Sequence, residues 1–159
     1  MKINLDELAL ECFDRNNKEH IEFFKKIRDG LENRFSGILP NLMKNSTSFF
    51  DRGYLISDDN KLIGYIDVSA YDEIEASIYL RASILSDARG KGYAKKILKE
   101  ISDYIFKNYE EVLSIRLNIA DDNIYSIKTA LSCGYLNIPG TQMYVSFNPY
   151  VNTKDKIKF

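Results

Sequence analysis

The chain has 159 residues, 45% of them hydrophobic and 28% charged, which is one ordinary domain with enough apolar material for a core. Lys and Arg number 22 against 23 Asp and Glu, a net charge of −1, so no general basic field draws the protein to nucleic acid or to a membrane surface. No apolar run approaches the length of a bilayer span, the first residues do not read as a signal segment, and His20, Cys12 and Cys133 form no metal-type spacing, all of which fits a reducing cytoplasm.

The segment "ELALECFD" alternates as a first strand, with Leu8, Leu10 and Cys12 on one face. Asn16 and Glu19 form a capping box for a helix whose stripe is Ile21, Phe24, Ile27, Leu31 and Phe35, ended by Ser36-Gly37. Residues 38–50 show no clean period and read as a connection. The segments "GYLIS" and "KLIGYIDVSA" are strands joined by the turn Asp58-Asp59-Asn60. A third strand, "EASIYLRASIL", sets Ile78, Leu80, Ala82 and Ile84 against Tyr79, Arg81 and Ser83, which completes an antiparallel meander.

After Arg89 the period becomes helical. Ala94, Ile97, Leu98, Ile101 and Ile105 share a stripe, and the lysines lie mostly off it. The segment "VLSIRLNIA" is a strand, "NIYSIKTALSCGY" a helix between Asn123 and Gly134, and "YLNI" and "QMYVSF" are closing strands. The order β-α-βββ-α-β-α-ββ makes an α/β protein with a mixed, mostly antiparallel sheet and helices on both faces. Residues 1–150 read as a single domain and 151–159 as a polar tail.

The run Arg89-Gly90-Lys91-Gly92-Tyr93-Ala94 stands at the mouth of the second helix. A helix begins with unpaired N–H groups and a positive dipole end, glycines let a ligand approach the backbone, and Arg89, Lys91 and Lys95 add charge. These features fit a phosphate cradle, and equally a glycine turn before an ordinary cationic helix. Arg89-x-x-Gly92-x-Ala94 resembles the R/Q-x-x-G-x-G/A signature of the GNAT-type N-acetyltransferases, which hold the pyrophosphate of acetyl-coenzyme A. The segment "LNIADDNIYSIKTALSCGY" resembles that family's second block, with Asn123 and Gly134-Tyr135 in register. The likeness covers nearly the whole chain in element order and is strongest over residues 76–135.

The resemblance implies that main-chain groups around Ala82, Ser83 and Ile84 pair with the pantetheine arm like an added strand. It implies that the amides of Arg89, Gly90, Lys91, Gly92, Tyr93, Ala94 and Lys95 take the pyrophosphate, and that Asn123 hydrogen-bonds the cofactor. A backbone N–H near Ile84 or Leu85 would face the oxyanion. The family's usual tyrosine proton donor is replaced here by Ala130; Tyr125 lies on another side of the helix, and Ser126 is the nearest hydroxyl and candidate donor. Positions where some members carry a glutamate base hold Ile78 and Asn118, which leaves Asp67 and the acidic turn of Asp72, Glu73 and Glu75 as alternatives.

Two functions follow from the resemblance. One is an N-acetyltransferase moving acetyl from acetyl-CoA to an amine of a small molecule or a peptide. The other is an acyl-CoA-binding sensor that has lost catalysis. Nucleic-acid binding through "RGKGYAKK" lacks a second basic strip. Homodimers are common among proteins of this kind, no metal is implied, and acceptor choice falls to the 36–50 connection, Gln142, Tyr144 and Asn148.

Overall fold

Asp59 and Asn60 both have positive φ, 49° and 67°, and this two-residue turn matches the twist of the strands it joins, β3 (Arg52–Asp58) and β4 (Lys61–Val68). The computed structural model describes residues 2–28 and 47–151, with the backbone alone at 27 and 28. The readings for Leu31, Phe35, Ser36-Gly37, most of the 38–50 connection and the tail beyond residue 151 lie outside the described residues.

The remaining strands are β1 (Lys2–Asn4), β2 (Leu8–Glu11), β5 (Ser77–Ile84), β6 (Ser114–Asn118), β7 (Leu136–Asn137) and β8 (Met143–Phe147). Helices α1 (Lys18–Arg28), α2 (Tyr93–Asn108) and α3 (Ile124–Ser132) complete the elements used below. One eight-stranded sheet runs β1-β2-β3-β4-β5-β6-β8-β7, antiparallel throughout except where β5 meets β6. The meander and the mixed sheet are as the sequence predicts. Strand β1 is an addition: three residues, Lys-Ile-Asn, are too few to show a period.

A register shift between Ile56 and Ser57 leaves Ile63 as an extra residue on β4. Past it, Ile66 and Val68 join Leu8, Leu10, Tyr54, Ile56, Ile78 and Leu80 on one face, packed against Ile97, Ile101 and Ile105 of α2. Leu55, Leu62 and Tyr65 face the other way and pack with Phe23 of α1. Helices therefore lie on both faces of the sheet.

The start of α1 corrects the expected cap. Asn17, not Asn16, takes the N–H groups of Glu19 (2.9 Å) and His20 (3.2 Å), so the helix begins one residue later. The buried face differs too: His20 and Phe23 are buried, while Ile21 and Phe24 stay half-buried.

Three tyrosines are sealed inside. Tyr54 donates to the Phe49 carbonyl (2.6 Å), Tyr135 shares a hydrogen bond with Ser102 (2.6 Å), and Tyr65 donates to Asp67. Burial is the leading cause that raises all three phenols above their ordinary range. Unfolded phenols ionise near pH 10, so the stability these groups contribute is complete below about pH 10 and is lost as pH rises toward the folded values. An absorbance titration of the 11 tyrosines should show a late phase that coincides with loss of helical dichroism. A single wave near pH 10 with the fold retained would contradict this packing.

Candidate active site

Strand β5 pairs with β6 only at Ser77↔Ser114, Ile78↔Ile115 and Tyr79↔Arg116, yet β5 continues to Ile84. On its other side it stays paired with β4 from Leu80 to Ile84. Antiparallel strands exchange bonds at alternate residues. The Ser69 N–H bonds the Tyr79 carbonyl (3.0 Å) and the Leu85 N–H bonds the Ile63 carbonyl (2.9 Å), so the odd-numbered groups of β5 face β4. The main-chain groups of Leu80, Ala82 and Ile84 therefore face the side where β6 has diverged. Arg89 Nε donates to the Ile84 carbonyl (3.3 Å), which agrees with that carbonyl lying outside the β4 ladder.

This geometry refines the expectation for 82–84. Ala82 and Ile84 offer main-chain groups to the opening, whereas Ser83 belongs to the β4 ladder. The Leu85 N–H is committed to Ile63 and is not a free oxyanion donor. Ala82, expected on the apolar face, is exposed because the sheet opens beside it.

From Ile84 a short 3-10 turn, Ser86–Ala88, leads to the glycine loop. Gly90 and Gly92 have φ of 76° and 79°, and a Cβ on either would meet no atom within 4 Å. What demands glycine here is the left-handed backbone, not crowding. Gly92 is the N-cap of α2, no side chain caps that end, and its first turn carries no acidic residue. The first N–H groups and the positive end of the dipole are thus uncompensated by the helix's own side chains. Arg89, Lys91 and Lys95 stand exposed around the opening.

The helix is fixed firmly behind this end. The Tyr93 hydroxyl donates to Asp58 Oδ2 (2.7 Å), and that bond, with some burial, holds the phenol proton above its usual range. Glu100 Oε1 accepts the N–H groups of Glu7 (2.8 Å) and Leu8 (2.9 Å), and Lys96 pairs with Glu7.

On α3, Asn123 Oδ1 accepts the Ser126 N–H (3.2 Å), so its oxygen is the helix cap and its amide NH2 is the exposed group. Ser126 is half-buried, and Cys133 on the same face reaches the Lys95 carbonyl (3.6 Å), joining α3 to α2. Ala130 is fully buried in the main core, and its methyl group donates no proton. Asp72 Oδ1 accepts the N–H groups of Ile74 (2.9 Å) and Glu75 (3.2 Å), Glu75 pairs with Arg116 of β6, and Glu73 stays exposed in the turn.

Asp67 has a different setting. It lines a cavity of about 300 Å³ with Asp51, Arg52, Tyr79, Arg81 and Asn118, beside the point where β5 and β6 part. The notable residues missed from sequence are Tyr79 and Arg81. Their only signal was alternation, which put them opposite Ile78 and Leu80. Two of the closing residues are structural: Tyr144 is buried in the main core, and Asn148 Nδ2 donates to the carbonyls of Phe106 (3.1 Å) and Val112 (2.9 Å), whereas Gln142 is exposed and bonds Asp121 (3.4 Å). Among the described residues no group of His, Cys, Asp and Glu is arranged to hold a metal ion, and no helix is long and apolar enough to cross a membrane.

The model of the acetyltransferase (GNAT) family matches residues 5–135. No protein of curated function matches the chain in sequence. Among solved structures, the chain is similar to a dodecameric spermidine N-acetyltransferase from Vibrio cholerae, with 19% identity, coverage of 92% of this chain and 98% of that one, and a TM-score of 0.63. It is also similar to a ribosomal L7/L12 alpha-N-protein acetyltransferase, with 16% identity, 93% and 98% coverage and a TM-score of 0.67. A complex of the Vibrio cholerae spermidine enzyme with CoA and spermine matches with 21% identity, 87% and 92% coverage and a TM-score of 0.57. With a strand that leaves its neighbour, an uncapped helix behind a glycine loop, and a family match over most of its length, the chain belongs to the GNAT family of acetyltransferases, which use acetyl-CoA as acetyl donor.

Proposed function

We propose that the opening between β5 and β6, together with the glycine loop, holds acetyl-CoA, and that the acetyl group passes to an amine of a small molecule or of a peptide. The observation that carries this reading is the pairing of two open backbone surfaces: the edge of β5 at Leu80, Ala82 and Ile84, whose Ile84 carbonyl is held by Arg89, and the uncapped N-terminus of α2. Amides from Gly90 to Lys95 take the pyrophosphate, the Arg89 N–H being bonded to the Ser86 carbonyl (3.4 Å), with the charges of Arg89, Lys91 and Lys95 around it. Ala82 and Ile84 pair with the amides of the pantetheine arm, and the Asn123 NH2 reaches the same arm from α3.

Acetyl-CoA supplies an activated thioester. The chain orients the acetyl carbonyl against a backbone N–H of the β5 edge, at Leu80 or Ala82, where a preorganised dipole stabilises developing negative charge. Ser126 is the hydroxyl offered to the departing sulfur. A lysine-type amine is neutral in roughly one molecule in a few thousand at pH 7. In this reading water carries the amine proton away: Asp72 accepts two backbone N–H groups, Glu75 pairs with Arg116, and Glu73 lies exposed to water in the same acidic turn. Cytoplasmic location and a homodimer belong to the same proposal; both cysteines are free, and one similar enzyme is dodecameric.

Substituting Gly92→Val forces a branched residue into the left-handed region at the helix cap. Its KM for acetyl-CoA should increase at least about tenfold while helical dichroism is retained; an unchanged KM contradicts the loop assignment. Ala82→Pro removes an N–H that the β4 ladder does not use. It should lower kcat by roughly a hundredfold with acetyl-CoA and any accepted amine, as loss of an oxyanion donor does. Wild-type kcat in that variant would move the donor elsewhere. A wild-type protein that binds acetyl-CoA but releases no thiol with any amine would instead support the sensor reading.

A further inference from the structure

Resting on the acetyl-transfer reading above, we infer that Arg81 selects the acceptor by binding a carboxylate that the amine substrate carries. The support begins on β3. A Cβ at Gly53 would collide with the ring and hydroxyl of Tyr65, so the missing side chain makes room for that ring between the strands. Tyr65 is almost wholly buried, and its hydroxyl donates to Asp67 Oδ1. The other carboxylate oxygen, Oδ2, accepts from Arg81 Nη2 (2.7 Å).

Exposure decides which partner of this ion pair meets a ligand. The Asp67 side chain is 14% exposed and the Arg81 side chain 69%. Both carboxylate oxygens already accept hydrogen bonds from within the sheet. The guanidinium has five N–H donors in a planar fork, and its bond to Asp67 leaves others to face solvent and the cavity. An ion pair with one partner this exposed adds little to stability. What it does add is direction: Asp67, held by Tyr65, keeps a long flexible side chain in one orientation.

Position gives that orientation a use. Arg81 lies between Leu80 and Ala82, whose main-chain groups face the opening where the acetyl carbonyl is expected. Its side chain lines the cavity of about 300 Å³, a volume suited to a small molecule. Asn118, the last residue of β6, lines the same cavity and carries a carboxamide, a group that can hydrogen-bond an amine. The wall carries two carboxylates, Asp51 and Asp67, and two guanidiniums, Arg52 and Arg81; with both Asp67 oxygens engaged inside the sheet, the exposed Arg81 is the side chain of that ion pair that meets a ligand. A carboxylate on Arg81 places an amine a few bonds away beside the thioester. The acceptor class is therefore a small amino acid, and a polyamine, which has no carboxylate, is a poor substrate.

The test compares free amino acids, both α and ω, with their primary amides, which keep the size and remove the charge. Thiol release from acetyl-CoA is followed, with spermidine as a third probe. The acids should exceed their amides and spermidine in kcat/KM by about tenfold or more. Arg81→Gln should abolish that ratio, Arg81→Lys should restore part of it, and Tyr65→Phe, which loosens the brace, should reduce it. A wild-type ratio near one, a ratio that survives Arg81→Gln, or no accepted acid in a protein that binds acetyl-CoA by equilibrium dialysis would each overturn the inference. Failure to bind acetyl-CoA would overturn the acetyl-transfer reading itself, and the inference with it.

Discussion

Hydrogen bonding between β5 and β6 stops after three residue pairs, and the rest of the site is a consequence of that break. A parallel pair that continued would satisfy Leu80, Ala82 and Ile84 and leave no edge for a ligand. The break is stable because β5 remains tied to β4 along the same stretch, where Gly64 lets the strands approach so closely that a Cβ would lie 2.5 Å from the Ser83 carbonyl oxygen. One side of the strand is thus held firmly while the other is open. Unpaired backbone groups are expensive to bury, so such an edge persists only where water or a ligand reaches it.

The second surface is brought to the first by chain connectivity. Only a short turn and the glycine loop separate Ile84 from the start of α2, and three anchors, Tyr93 to Asp58, Lys96 to Glu7 and Glu100 to the amides of Glu7 and Leu8, hold the helix in place. A protein of net charge −1 has no long-range attraction for a polyanion. In the proposed reading, local amides and a helix dipole supply recognition instead, and rigidity lets them act without reorganisation.

The sequence was informative wherever local chemistry decides structure. The positive-φ turn at Asp59-Asn60, the glycines of the loop and the Asn123 cap were readable because few residues suit those backbone states. The helix of α1 was readable but its start was not: Asn16 and Asn17 are both good caps, and only the fold selects between them. The parting of β5 from β6 was hidden because alternation continues through Leu80, Ala82 and Ile84 whether or not a neighbour is present. For the same reason the sequence could not say that Ser83 faces β4, or that Tyr79 and Arg81 share a cavity with Asp67 from another strand. Tyr144 and Asn148 looked available for an acceptor, and burial removes both.

With Ala130 in the core, Asp72 accepting backbone N–H groups of its own turn and Glu75 paired with Arg116 of β6, the proposed chemistry relies on main-chain groups and on placement more than on a dedicated acid and base. The central claim is that one open strand edge and one uncapped helix end together hold coenzyme A. Amide hydrogen exchange with and without saturating acetyl-CoA tests it most directly. Slowed exchange confined to Leu80, Ala82, Ile84 and the amides from Gly90 to Lys95 is the predicted result. Exchange in those residues that does not change on adding acetyl-CoA would contradict the account.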